Sequence, residues 1–250
     1  MNFGPVNPEL LPGARNAVET CLNVRTGERV ALIADQPSRE VAASLAEVLA
    51  QRRAQWTGLL VEDVAARPVV EAPRELLQAL ENAEVGILCM QPMPGELPTR
   101  MAIVRVVERR RIRYAHMVGV TAEIMQQGMR TDYRRVDRLS DRLRERMKSA
   151  STLRVQTEAG TEFTASFNPA LDWVKTSGLI SPQYWSNLPA GEVFTTPARV
   201  DGRFVCDGTA GDYFNQKYGD LQRTPLVLEI VAGRLVRAEC ARKELEGEFW

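Results

Sequence analysis

The chain has 250 residues, 44% of them apolar and 26% charged, and its 32 basic and 32 acidic side chains cancel. That balance suits a globular protein of one large or two smaller domains, and it argues against nucleic acid or an anionic membrane as a partner. The single histidine, His116, excludes a histidine-rich metal site built from this chain alone.

No apolar run approaches the roughly 20 residues that span a bilayer. The first residues, MNFGPVNPELLPGAR, have neither a basic n-region nor an apolar h-region, so a cytoplasmic location is expected. Cys21, Cys89, Cys206 and Cys240 are far apart and form no CxxC pair. Four reduced, mostly buried thiols are expected, and no zinc knuckle.

Residues 1–150 alternate strand-like and helix-like patterns. RVALIAD (29–35) is a short continuous apolar run, as in a strand buried on both faces. Ser38 is a candidate N-cap for a helix with Val41, Leu45, Val48 and Leu49 on one side. WTGLLVED (56–63) reads as a second strand and APRELLQALENA (72–83) as a helix with proline at its start. VGILCMQ (85–91) is a third strand, Thr99–Arg109 a helix, and IRYAHMVG (112–119) a fourth strand containing His116. Thr121 can cap the next helix, with Ile124 and Met125 inward. Residues 132–150 predict a charged amphipathic helix with Tyr133, Val136, Leu139, Leu143 and Met147 as its apolar stripe.

This alternation predicts a parallel, Rossmann-like sheet with right-handed crossovers. The turn after the first strand, ADQPSRE, lacks the glycine-rich nest that dinucleotides and P-loop phosphates require. The texture changes near 151. Three hairpins are predicted, at Glu-Ala-Gly (158–160), Asp201-Gly202 and Ala232-Gly233. The expected fold class is therefore α/β: a Rossmann-like domain over 1–150, then a β-rich α+β domain over 151–250. The final pattern, CARKELEGEFW, starts a helix without a visible C-cap, so a truncated end is expected.

Within the second part, NLPAGEVFTTP (187–197) places Glu192 directly after a tight turn and before a β-branched run. A carboxylate restrained in this way suits a divalent-metal ligand or a general base. The motif, followed by ARVDGRFVCDGT and preceded by HMVGVTAEIM (116–125) and VQTEAGTEFT (155–164), resembles the M29 metallo-aminopeptidases of the thermophilic aminopeptidase T/S type. That resemblance implies hydrolysis of N-terminal peptide bonds, with Glu192 as a ligand to zinc, cobalt or manganese. It also implies a second glutamate, a tyrosine, two histidines and an aspartate, all beyond residue 250. A single glutamate does not retain two metals, so a catalytically incomplete chain is expected.

The same superfamily resemblance extends to a ring-opening dihydroxypyridine dioxygenase with one iron, in which a histidine of the N-terminal half contacts substrate. His116, near the end of a strand, is the candidate for that role. A third reading is a non-catalytic remnant. The expected partners are a peptide or small-molecule substrate, with homodimerisation open. Asp172, Trp173, Tyr184, Trp185 and the Asp207-Gly208-Thr209 loop are lesser candidates for walls of a pocket, with a hairpin turn the simpler role for that loop.

Overall fold

The computed structural model describes residues 3–250 and divides the chain into two compact units. One runs up to Arg142 and takes in Lys175–Val193; the other comprises Leu143–Val174 and Phe194–Trp250. A single crossing near 150, with the whole motif beyond it, was the expected division. Instead, Lys175–Val193 returns to the first unit.

The first unit is a doubly wound α/β sandwich. Its sheet is formed by β1 (Arg29–Ala34), β2 (Gln55–Leu60), β3 (Val85–Met90), β4 (Arg113–Val118) and β8 (Ser186–Asn187), in the order β2-β1-β3-β4-β8, all parallel. The helices are α1 (Leu11–Arg15, continuing as a π-helical turn to Cys21), α2 (Arg39–Gln51), α3 (Val61–Val64), α4 (Arg74–Glu81), α5 (Leu97–Arg110) and α6 (Ala122–Gln126), and α7 (Tyr133–Met147) follows them. Strand alternation sorts the side chains onto two faces. Val30, Leu32, Ile87, Cys89, Ala115 and Met117 pack with α1, α2 and α6. Ala31, Ile33, Leu88, Met90 and Tyr114 pack with α4 and α5.

The chain leaves β1 for β2 on one side and then crosses to β3 on the other. The crevice at the carboxyl ends of β1 and β3 is thus the topological switch point, where such sheets bind ligands. Here protein fills it. Asp35 and Glu96 have fully buried side chains, and the Arg67 guanidinium lies between them at 7% exposure. Arg67 grips Glu96 through Nε at 2.8 Å and Nη2 at 2.7 Å, and donates through Nη1 to Asp35. Asp35 also accepts from the backbone of Ser38 (2.9 Å) and Gln91 (2.7 Å), and so ties the ends of β1 and β3 together. This Asp35–Ser38 bond, rather than the expected Ser38 cap, opens the turn into α2.

The second unit is an antiparallel sheet in the order β12-β11-β10-β6-β5. Its strands are β5 (Thr152–Gln156), β6 (Glu162–Phe167), β10 (Pro197–Cys206), β11 (Leu226–Val231) and β12 (Arg234–Glu239). Helices α8 (Gly211–Tyr218) and α9 (Lys243–Phe249) pack with it around Leu221, Leu226, Ala238, Cys240 and Leu245. Two expected hairpins are present, β5–β6 and β11–β12. The third is absent: Asp201-Gly202 lies inside one continuous strand, β10. Gly202 has φ +132°, and a Cβ there would stand 2.4 Å from the Glu162 carbonyl oxygen, so the glycine serves close strand approach. A separate two-stranded sheet pairs β7 (Val174–Thr176) with β9 (Glu192–Phe194).

Two further expectations differ. The stripe of α7 is rotated: Tyr133 and Ser140 are buried, whereas Leu139 and Leu143 are exposed. The Asp207–Thr209 loop leads into α8 instead of turning a hairpin. All four thiols are free; Cys206 is half-buried and the others are buried.

Arg67→Met strands two buried carboxylates and is expected to destabilise the chain by about 3–5 kcal/mol in urea unfolding. Burial pushes the Glu96 carboxyl up, but hydrogen bonds from Arg67 and the Val69 amide outweigh it and hold the group below its ordinary 4.5. A depressed carboxylate stabilises fully above 4.5. In acid titration of the wild type this contribution is expected to fade as pH falls below 4.5 through the folded value, and Arg67→Met is expected to reverse that pH dependence, because burial then raises the stranded carboxyl.

Candidate functional site

His116 lies on the β4 face that packs against α4 and α5, two residues from Tyr114 and so on the same side of the strand. The Tyr114 hydroxyl and His116 Nδ1 are 3.1 Å apart. The imidazole is flanked by two rings, with centroid distances of 5.9 Å to Tyr114 and 5.8 Å to Trp185. Tyr114 and Trp185 meet edge-on at 6.2 Å, and Trp185 Nε1 donates to Glu108 at 3.4 Å. Burial, with a smaller contribution from the Arg100 guanidinium, lowers the His116 pKa to about 4. Burial raises the Tyr114 phenol well above its ordinary 10. Both groups are therefore neutral at pH 7. With Tyr114 donating to Nδ1, the imidazole proton sits on Nε2 and is free to donate.

The motif begins beside this histidine. Asn187 pairs with His116 in the β4–β8 register, and the Leu188 amide donates to the His116 carbonyl at 3.1 Å. The chain then turns through Pro189, Ala190 and Gly191 into β9, which opens with Glu192. Glu192 is exposed and accepts from the Thr176 hydroxyl of β7 at 3.4 Å.

The strand that carries Thr176 is pinned on its other side. Lys175 Nζ bridges Asp137 and Asp141 of α7, each at 2.8 Å, and the Ser177 hydroxyl donates to Asp137. Lys175 and Ser177 face α7, and the intervening Thr176 faces Glu192, as strand alternation requires. The next residue, Gly178, has φ +87°, and a Cβ there would stand 2.5 Å from Tyr133, so only glycine passes at this point. Glu192 itself sits in solvent, with the long contact to Thr176 as its described side-chain bond.

No described contact joins His116 to Glu192. Among the described residues there is no group of three His, Cys, Asp or Glu side chains placed to hold a metal. Trp185 lies against His116, whereas Tyr184 is 74% exposed, and Trp173 packs edge-on against Phe167 at 4.9 Å. Tyr114, Arg100, Lys175 and Asp137 were not singled out in the sequence. Of these, only Tyr114 carried a signal, its i−2 spacing from His116 in a strand. Helix α5 is rich in arginine, and nothing local distinguishes Arg100 from the rest.

No helix among the described residues is long and apolar enough to cross a membrane. The fold is similar to a 2,5-dihydroxypyridine dioxygenase from Pseudomonas putida KT2440, with TM-score 0.69 and 17% identity, over 98% of this chain and 72% of that one. It is also similar to AmpT from Thermus thermophilus, with TM-score 0.61 and 15% identity, over 94% of this chain and 72% of that one. No protein of curated function matches the sequence. A family model described as NicX, 2,5-dihydroxypyridine 5,6-dioxygenase, matches residues 9–243. That match overturns the aminopeptidase reading and the hydrolase and proteolysis roles that came with it; the M29 resemblance survives as a distant likeness of fold. The α/β architecture, with one parallel and one antiparallel sheet, stands as expected. By the extent of that match, nearly the whole chain, this protein belongs to the NicX family.

Proposed function

We propose that the chain serves oxygen-dependent opening of a hydroxylated pyridine ring, the reaction its family is named for, and that its own residues hold the ring. The family match over residues 9–243 carries this reading. The neutral His116, boxed by Tyr114 and Trp185, supports it. An Nε2–H donor hydrogen-bonds a ring oxygen, and the half-buried Trp185 indole suits a flat ligand, while the fully buried Tyr114 backs the imidazole.

A divalent metal suits either chemistry that the fold resembles, and iron is the one expected for a ring-opening dioxygenase. Non-haem iron oxygenases hold the metal with two histidines and one carboxylate. These 250 residues contain one histidine, and the described residues bring no three donors together. They do not fit that donor set by themselves. Glu192 is the exposed carboxylate they offer, in contact with the Thr176 hydroxyl. The part of this chain is to bind and orient the ring and to keep a neutral proton donor at His116.

Three outcomes are expected. The lone histidine gives one Cε1–H signal, and its NMR titration should have a midpoint near 4 instead of 6.5. Because the unfolded chain takes up that proton at the higher pH, stability should fall as pH drops from 6.5 towards 4. Anaerobic titration with 2,5-dihydroxypyridine should shift the same signal saturably, and in calorimetric titration, which does not need that signal, His116→Phe should weaken binding at least about tenfold, as loss of a buried hydrogen bond does. Absence of binding at millimolar ligand would sink the proposal. Iron(II) added in air should give no loss of the ring absorbance beyond iron alone; faster loss would reveal donors that the described residues do not show.

A further inference from the structure

Strand β2 (Gln55–Leu60) is an edge of the parallel sheet. An open edge offers unpaired backbone groups, and proteins ordinarily blunt it with charge, proline, a bulge or brevity. The other described edges are blunted in this way. β8 is two residues long. β5 carries Arg154, β12 carries Arg234, Arg237 and Glu239, and the β7–β9 pair carries Lys175 and Glu192. β2 reads QWTGLL, six residues without charge or proline, in unbroken register with β1. Gln55 and Thr57 are exposed, and Trp56 and Leu59 are half-buried.

The ladder identifies the free groups. The Gln55 amide donates to the Glu28 carbonyl at 2.8 Å, so Gln55, Thr57 and Leu59 bond towards β1. The backbones of Trp56 and Gly58 and the amide of Leu60 then point outward, and no bond from another described segment reaches them. A groove of about 530 Å³ is lined by this strand, β1 and α4. At one end Arg29 Nε donates to the Asn82 carbonyl at 2.8 Å. Because α4 ends there, its first turn with the exposed Glu75 lies at the other end, towards the carboxyl end of β2.

We propose that two copies of this chain join along β2, antiparallel and edge to edge, into one continuous sheet. A two-fold axis at Gly58 sets outward groups against outward groups: Gly58 faces its own copy, and Trp56 of one protomer faces Leu60 of the other. On the opposite face of the sheet Thr57 meets Leu59, so every pair along the seam is uncharged. The same axis brings the Glu75 end of each groove to the Arg29 end of the other, and opposite charges meet on both sides of the seam. This self-complementarity favours a second copy over an unrelated strand, since one register satisfies the outward backbone and pairs the charges. The assembly closes at two, because pairing consumes this edge and β8 is too short to begin another. The inference stands apart from the ring-opening reading.

The test is sedimentation equilibrium of the full chain over about 1–100 μM, a range that brackets a modest affinity between proteins. The wild type should sediment as a dimer at the upper end. Thr57→Lys puts like charges on the seam and should raise the dimer dissociation constant at least about tenfold, with unchanged circular dichroism. Thr57→Glu should do the same. The two substituted side chains lie diagonally across the axis, so an equimolar mixture of the variants should recover the dimer. In hydrogen exchange the Trp56 and Gly58 amides should be slow in the wild-type dimer and fast in either variant alone. A wild type that stays monomeric at about 100 μM overturns the proposal. So does a dimer that Thr57→Lys leaves intact, and so does a mixture of folded variants that fails to associate.

Discussion

Everything placed at the carboxyl edge of the parallel sheet depends on one buried cation, Arg67, between two buried carboxylates. Asp35 ends β1, the Gln91 amide follows β3, and Glu96 immediately precedes α5; the guanidinium joins the three segments. The desolvation of three charges is offset only while all three are present and their hydrogen bonds are filled, which makes the arrangement all-or-none. It also occupies the crevice in which a doubly wound sheet ordinarily receives its ligand. Strand β4 lies next to β3, away from the switch point.

Strand β4 is marked out by its partners. Its far neighbour is β8, two residues long, contributed by a segment that returns from the later part of the chain. Such a short partner pairs only Ala115 and His116 and leaves the rest of β4 without a neighbouring strand on that side; His116 itself is half-buried. The same return delivers Trp185 against His116 and then the turn into Glu192. One piece of backbone, residues 185–192, thus sets the aromatic wall, the strand pairing and the restrained acid together. The Lys175, Ser177 and Asp137 contacts hold the far end of this piece through β7. A shift of β7 would therefore carry the Glu192 carboxylate with it.

Much of the first unit was legible because its signals are local. Continuous apolar runs such as VGILCM become strands buried on both faces, and Thr121 caps α6 through a bond to Ile124. The second unit was legible where a glycine closes a turn, at Ala232-Gly233, and misleading where a glycine permits close strand approach, at Gly202. Both read alike as dipeptides, since what distinguishes them is a strand some 40 residues away. The α7 stripe failed for a related reason. Periodicity counts apolar residues, but this helix buries Ser140 and turns Asp137 inward to meet Lys175, which long-range charge pairing decides. Short strands β7, β8 and β9 carry no periodicity at all. In the candidate site, His116 and Glu192 stood out by rarity and by motif, whereas Arg67 and Arg100, two arginines among many, acquire meaning only from what surrounds them.

The two chemistries suggested by the sequence share a restrained carboxylate, so Glu192 alone does not discriminate between them. A metal-bound water and a metal-bound ring substrate both accept such a ligand. What differs is the surface that meets the organic substrate. Peptide hydrolysis calls for a polar channel that pairs backbone amides, because each unpaired amide left in a closed site is costly. A hydroxylated pyridine has few hydrogen-bonding atoms and two flat faces, so a sparse polar set within aromatic walls is sufficient. Around His116 the described partners are the Tyr114 phenol and the Trp185 indole. The family assignment itself comes from the length of the match, residues 9–243, and not from these side chains.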